Sequence, residues 1–466
     1  GGAFTVASDG TVDFDPSGEF EPLAGGDSDT TQVTVTVADA AGNTDTQTVT
    51  ATVNGANDAP TLTVSTSDPT FTEGGSAVSV FSTAHVDVFE SGQQVQSLTV
   101  TVDNVADGSA EVLTVDGSDV ALTDGTSVTT ATNGLSASVS VTSGTATVTV
   151  SGGFGESTAN SVIDGLTYEH TGDDPSAASD RVVTVTEVVD DGGTVNGGSD
   201  TWTGSESGTI SLTAVNDAPT LSTDARSLDS VSEDDTGNGG TTVSTVLASA
   251  GTTGDAEGAT LGVAVTGVDD TDGAWEYSTD GGSSWSEVAS ASPADSSALL
   301  LAAGDSLRFV PNADVSGSAG GSVTLRAWDG TSGVAGDTTA DASTNGGTTA
   351  FSADAASASV TVDDAPEVSA ITRATGESNP TSSDSVDFEV AFTESVSGVD
   401  TTDFTATGVS GDVSGSVSAV SGTGSSYTVT VDSVAGDGDL RLDLDDDDSV
   451  TAADNGVALG GAGVNG

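Results

Sequence analysis

Valine and threonine alternate with period two along much of this chain. Val33-Thr34-Val35-Thr36-Val37, Leu98-Thr99-Val100-Thr101-Val102, Ala146-Thr147-Val148-Thr149-Val150 and Tyr427-Thr428-Val429-Thr430-Val431 each place apolar side chains on one side and hydroxyls on the other. That alternation is the signature of a half-buried antiparallel strand. β-Branched residues suit the pleated surface. No stretch carries sustained amphipathic helical spacing. Patterned apolar positions also argue against disorder, which high charge and few aromatics would otherwise suggest. The pattern predicts an all-β chain.

Three near-copies of one phrase interrupt the strands: Asn57-Asp58-Ala59-Pro60, Asn216-Asp217-Ala218-Pro219 and Asp363-Asp364-Ala365-Pro366. Each follows a β-type run. The starts are 216 − 57 = 159 and 363 − 216 = 147 residues apart, a common domain size. Residues 57–60, 216–219 and 363–366 are thus expected to link β-sandwich domains at 61–215, 220–362 and 367–466. Residues 1–56 are expected to form the closing part of a preceding domain. Tandem Ig-like or cadherin-like sandwiches in an extended rod are the predicted fold.

Within 1–56, Phe4-Thr5-Val6 and Val12-Asp13-Phe14 flank a turn at Asp9-Gly10 and read as a hairpin. Val33–Val37 and Thr48–Val53 read as two further strands. So few large apolar residues make a poor core for a domain of that length. In 61–215, Leu166–His170 and Val182–Thr186 read as late strands. Trp275, Tyr277, Trp285, Leu299–Leu301, Phe309 and Trp328 are expected core anchors of 220–362. In 367–466, strands are expected around Val386–Phe392, Phe404–Thr407, Tyr427–Val431 and Leu440–Leu444. Both end segments read as one or more strands short of a closed sandwich. That fits a chain cut from a longer protein, and it fits subunits that exchange terminal strands in a filament.

Charge narrows the function classes. The chain has 72 Asp and Glu against six Arg and no Lys, for a formal net charge of −66. No basic face can be assembled for nucleic acid or for an anionic membrane. Two readings of the acidity stay open: multivalent cation binding, calcium above all, and life in high salt, where self-repulsion is screened. The absence of Lys favours a halophilic source. There is no cysteine or methionine and no apolar run long enough to span a membrane. The chain reads as an internal or processed piece of a larger secreted protein.

Beyond composition, the residues resemble a known group. The three Asx-Asp-Ala-Pro joints resemble inter-domain linkers of cadherin-like repeats. Gly10-Thr11-Val12-Asp13-Phe14-Asp15-Pro16 and Val37-Ala38-Asp39-Ala40-Ala41-Gly42-Asn43 are similar to the end of a VCBS repeat. Trp275-Glu276-Tyr277-Ser278-Thr279-Asp280-Gly281-Gly282 and Leu307-Arg308-Phe309-Val310-Pro311-Asn312 resemble another cadherin-like repeat, and 367–466 resembles a bacterial Ig-like domain. Such repeats make up giant bacterial surface adhesins of the RTX-adhesin kind. The resemblance implies an extracellular, cell-surface adhesin or fibre segment. Its roles would be cell adhesion or biofilm and matrix assembly, its partners neighbouring domains or copies, or a surface glycan or protein.

The same resemblance implies calcium at the joints. Calcium takes six to eight hard oxygen ligands. Linker ligands would be Asn57 and Asp58, Asn216 and Asp217, and Asp363 and Asp364. An acidic residue early in the domain after each linker, Glu73, or Glu233 and Asp234, would join them, with Asp190, Asp255, Glu257 and Asp329 as loop partners. The plainer reading is that Asn-Asp caps a turn and Pro keeps the preceding residue extended. A second candidate is Asp443–Asp454, where Asp443, Asp445, Asp447 and Asp454 fall at positions 1, 3, 5 and 12 of an EF-hand-like loop. Position 6 is Asp448 instead of glycine, and an acidic inter-strand loop is the plainer reading. For catalysis there are only His85 and His170, neither with a metal-type partner at i+4, and no cysteine. The chain is expected not to be an enzyme.

Overall fold

The computed structural model describes residues 2–233, 235–313, 315–318, 321–445 and 447–460. It divides into two compact units, Gly1–Val215 and Asn216–Gly466. Both are built almost wholly of antiparallel strands stacked in sandwiches. The chain is all-β, as the alternation predicts.

The first unit opens with two hairpins. Ala3–Val6 pairs with Val12–Asp15, and Ser28–Ala38 with Thr44–Asn54. The second turn is closed by Asp39, whose carboxylate accepts from the Ala41 and Asn43 N–H groups and from Asn43 Nδ2. Phe14 meets both Phe4 and Phe20. Among the described residues, the enclosed apolar clusters begin only at Leu62.

From Thr61 onward the unit is a full sandwich. Ser127–Thr129, Ser136–Thr142, Thr145–Phe154, Val95–Asp103, Arg181–Asp190 and Thr201–Thr213 lie side by side in one sheet. Thr70–Thr72 adds to it in parallel against the end of Thr201–Thr213. The inward valines of this sheet, Val100, Val102, Val148 and Val183 among them, are fully buried. They pack against Leu113, Val115, Val120 and Tyr168, which lie on Glu111–Val115, Ser118–Ala121 and Thr167–His170.

A helix, Glu156–Asp164, breaks the all-strand expectation. It is nine residues long, and only Ala159, Val162 and Ile163 are buried, too short a stripe to stand out in the sequence. Its other face carries a ladder. Glu156, Asn160 and Asp164 accept from the backbone N–H groups of Val88, Val86 and Ala84 at 3.0, 2.7 and 2.8 Å. Four residues along a helix rise about 6 Å, and two along a strand about 6.8 Å, so the periods match. The helix covers a strand edge that would otherwise offer free N–H groups for pairing. A second short helix, Val243–Ala248, lies in the other unit.

The second unit starts with another sandwich. Ala356–Ser359, Ser322–Trp328, Gly262–Asp269 and Leu299–Leu301 form its main sheet. Ser306–Pro311, Gly273–Ser278 and Ser286–Glu287 form another. Trp275 and Phe309 meet in the core with ring centroids 5.2 Å apart. The hairpin after Ser278 is locked by Asp280, which accepts from Ser278 Oγ, Ser284 N and Ser284 Oγ. Those hydrogen bonds hold its carboxyl at about 2. The last segment pairs Val368–Arg373, Ser385–Ser397 and Ser414–Ala435, with Phe404–Gly408 against Leu440–Leu444. Its core gathers Val390, Phe392, Tyr427 and Val429.

One polar cluster is sealed inside the first unit. Arg181, 1% exposed, places Nε 2.7 Å from Glu111 Oε2, and Glu111 is fully buried. Tyr168 Oη donates to the same carboxylate, and the Ala106 and Asp107 N–H groups donate to its other oxygen. Burial alone would raise the Glu111 carboxyl, but Arg181 and the backbone donors hold it below its ordinary value. His170 joins through Asp107, with Nε2 3.2 Å from Oδ2. It is a structural histidine. Removing one partner of such a pair strands the other charge, at a cost of about 3–5 kcal/mol. Arg181→Ala should therefore lose that much in denaturant unfolding of the first unit. Arg441→Ala, whose pair with Asp443 is open to solvent, should lose about 1 kcal/mol or less.

Candidate functional site

Asn57 is the buried pivot of the first linker, 2% exposed. Its Nδ2 donates to Asp190 Oδ1 at 3.0 Å and to the Ser199 carbonyl at 2.6 Å. The Ser199 N–H returns a bond to the Asn57 carbonyl. Asp58 N donates to Glu90 Oε1 at 2.9 Å. The loop after Arg181–Asp190 wraps the linker closely. A Cβ on Gly198 would collide with the Asn57 backbone, and one on Gly192 with the Asn57 side chain. Asn196 Nδ2 donates to the Gly55 carbonyl at 2.7 Å.

Asn216 and Asp217 repeat this plan inside the second unit. Asn216 Nδ2 donates to Asp329 Oδ2 at 2.9 Å and to the Thr349 carbonyl at 3.3 Å. Asp217 N donates to Glu257 Oε1 at 2.7 Å. Asp255 stands two residues before Glu257 and accepts from Ala259 N. Its counterpart before Glu90 is Val88, so the second linker has one more carboxylate to hand.

The third linker is built differently, because Asp363 stands where the others have Asn and has no amide to donate. Ala365 N donates to Glu233 Oε1 at 3.0 Å, and Glu233 N to the Asp363 carbonyl. Asn455 Nδ2 donates to the Asp364 carbonyl. Glu394 lies beside them. Its burial, with the Asp454, Asp364 and Glu233 carboxylates nearby, pushes its carboxyl above the ordinary range.

Of the residues expected at the linkers, Asn57 meets Asp190, Asn216 meets Asp329, and the Asp217 N–H meets Glu257. Glu73 does not join the linker before its domain. It accepts from Val215 N at the opposite end of its own sandwich. Glu233 likewise meets the linker that follows. The physical reason is parallel pairing: Thr72 lies against Thr213 and Ser232 against Asp363, which carries the next residue to the far end. Asp234 lies outside the described residues. The EF-hand-like set is dispersed. Asp443 sits on a strand, paired with Arg441 at 2.8 Å. Asp445 donates its N–H to the Asp403 carbonyl, Asp447 lies in the loop beyond, and Asp454 turns to Glu394. Among the described residues, no helix flanks the loop. Glu90 and Glu394 were missed.

The electrostatics single out the linkers. Four buried carboxylate oxygens have no hydrogen-bond partner among the described residues: Asp190 Oδ2, Asp217 Oδ2, Asp255 Oδ2 and Glu394 Oε1. All four belong to linker clusters. Burial raises the Asp190 carboxyl above its ordinary value, and Asp200 and Glu90 push the same way. Among the described residues, no three His, Cys, Asp or Glu side chains already stand close enough to hold a metal. The donor set is nevertheless one of hard oxygens with open valences, the kind that suits calcium.

No protein-family model matches this chain, and no curated protein matches it. Among solved structures, Drosophila N-cadherin EC1-4 aligns over 94% of this chain and 87% of its own, at 11% identity and a TM-score of 0.23. A tetra-tandem repeat in the extending region of a large adhesion protein aligns over 95% and 90%, at 14% identity and 0.16. The N-terminal eight Ig domains of Down Syndrome Cell Adhesion Molecule align over 85% and 44%, at 10% identity and 0.16. Scores this low assign no function to the chain.

Two outcomes are expected. Gly198→Ala should loosen the first linker, raising amide hydrogen exchange at Asn57 and Ser199 while the core strands stay protected. The second concerns pH. A carboxyl whose pKa is raised by folding binds its proton more tightly in the folded state, so it opposes folding above that raised value and ceases to do so as pH falls through it. In chelator, lowering the pH from neutrality towards the ordinary carboxylate values of 3.8 and 4.5 should first raise the melting temperature. Asp190→Asn together with Glu394→Gln should flatten that rise. Below it, groups held low, such as Asp107 and Glu111, reverse the trend.

Proposed function

We propose that this chain is a structural repeat segment of an extracellular adhesin or surface fibre, whose linkers are closed by calcium. The observation that carries the reading is the location of the four unpartnered buried carboxylate oxygens, all at linkers. Like charges brought together without a donor repel, and an isolated buried carboxylate is costly. A divalent cation supplies the missing positive charge when bound.

In this reading, carboxylates on or beside each linker would hold it. At the first linker they are Asp58, Glu90 and Asp190. At the second they are Asp217, Asp255, Glu257 and Asp329. At the third they are Glu233, Asp364, Glu394 and Asp454. Asn57 and Asn216 set the chain direction by donating across to Asp190 and Asp329. Fastened linkers transmit force and hold neighbouring domains in a fixed relation, which is what adhesion and matrix assembly ask of a spacer. The rival reading, a glycan-binding domain around the tryptophans, draws less support. Trp275 is core, and Arg308 lies over the Trp285 ring at 4.2 Å.

The test holds NaCl fixed and varies calcium. Chelation should lower the melting temperature and change the small-angle scattering profile, with calcium restoring both. Asp217→Asn with Asp255→Asn should weaken the calcium response by ten-fold or more in calcium concentration. If calcium and chelator give the same curves and only dilution of NaCl acts, the acidity is a solvent adaptation and the calcium reading fails.

A further inference from the structure

The outer face of the large sheet in the first unit is almost free of charge. Strand register brings its outward side chains into rows that run across the strands. One row reads Ser140, Thr147, Thr101, Thr184 and Ser207. Four such rows lie on this face, and their only carboxylates are Asp103 and Glu187. Both are turned to neighbours: Thr145 Oγ1 donates to Asp103 at 2.6 Å, and Thr99 Oγ1 to Glu187 at 3.4 Å. On a chain of net charge −66, these four rows spread hydroxyls and methyls over five adjacent strands with two carboxylates between them.

We infer that this face docks against the same face of a second copy of the chain. Three properties favour a copy. A hydroxyl both donates and accepts, so an array of Ser and Thr is complementary to itself, as a two-fold interface requires. A carboxylate only accepts and repels its like. The area is also sufficient. Five strands about 4.8 Å apart and four rows about 6.8 Å apart cover roughly 650 Å² per partner. The roughly 1,300 Å² total lies within the range of specific interfaces. Finally, sheets stack face to face about 10 Å apart, which leaves room for two layers of Thr and Ser side chains. The remaining surface repels over long range at low salt. At about 1 M salt that repulsion is confined to about 3 Å, so pairing grows with NaCl.

Sedimentation velocity of the full chain, over protein concentration and at fixed calcium, tests this. In molar NaCl the chain should form dimers that dissociate as NaCl is diluted. Thr101→Glu and Ser138→Glu should each raise the dissociation constant at least ten-fold with unchanged melting curves. Thr101→Ser, which keeps the hydroxyl, and Thr63→Glu, on a separate sheet, should leave it unaltered. Ser138 is fully outward, so its variant keeps the test valid if Thr101→Glu fails to fold. A chain that stays monomeric in molar NaCl overturns the inference. So does association that both Glu variants leave intact. Retention on crystalline cellulose that both Glu variants abolish, without self-association, would assign the face to a hydroxylated polymer and overturn it equally.

Discussion

Sixty-six uncompensated negative charges set the terms on which every part of this chain is built. Several of the carboxylates meet those terms locally. Asp39, Asp280, Asp337, Asp341 and Asp400 each accept from hydrogen-bond donors of their own turn, which keeps their carboxyls below the ordinary value. An aspartate of this sort fixes a hairpin and needs no cation. With no lysine and six arginines, the chain uses backbone N–H groups as counter-charges at these turns. The Arg181 site shows where a guanidinium is used instead. There a carboxylate is sealed within a sandwich and answered by a guanidinium, a phenol and two amides.

The linkers are where this economy fails. Asn57 and Asn216 each bring an amide donor to a loop aspartate, but the second oxygen of Asp190, and those of Asp217 and Asp255, find no donor. Replacing the pivot by Asp363 removes even the amide. The third linker then borrows Glu233 from the sandwich before it and gathers Glu394 and Asp454 from the segment after it. Two different constructions thus arrive at the same electrostatic condition: acceptors converge and donors are short by about one. Local turns elsewhere show that this sequence can satisfy aspartates readily, so the deficit at the linkers is specific to them.

Much of the fold could be read from alternation alone. Thr-Val repeats gave strands at Ser28–Ala38, Val95–Asp103, Thr145–Phe154 and within Ser414–Ala435, since period-two patterning and burial on one face are the same fact. The Asp217–Glu257 contact was within reach of the sequence because Asx-Asp-Ala-Pro and Asp255-Ala256-Glu257 are compact signals. Glu90 was not, because its aspartate counterpart is Val88 and the spacing from the linker differs. The parallel pairing of short edge strands, which sends Glu73 and Glu233 to the far ends of their sandwiches, leaves no local trace. Nor does the helix Glu156–Asp164, whose polar ladder of Glu156, Asn160 and Asp164 is visible only once the strand edge it answers is known.

The same constraint connects the linkers to the neutral sheet face. A strand edge in this chain is guarded by a helix whose carboxylates and amide accept its N–H groups, so edge-to-edge pairing is closed at that place. What stays open to a second copy is a surface where period two has put threonine and serine outward on adjacent strands in register. An unanswered carboxylate in the middle of that array would meet its own image across a two-fold axis. The two carboxylates on the rows, Asp103 and Glu187, are each answered by a threonine hydroxyl. The unpartnered carboxylate oxygens lie by the linkers, and the hydroxyl rows lie along the flank of one sandwich.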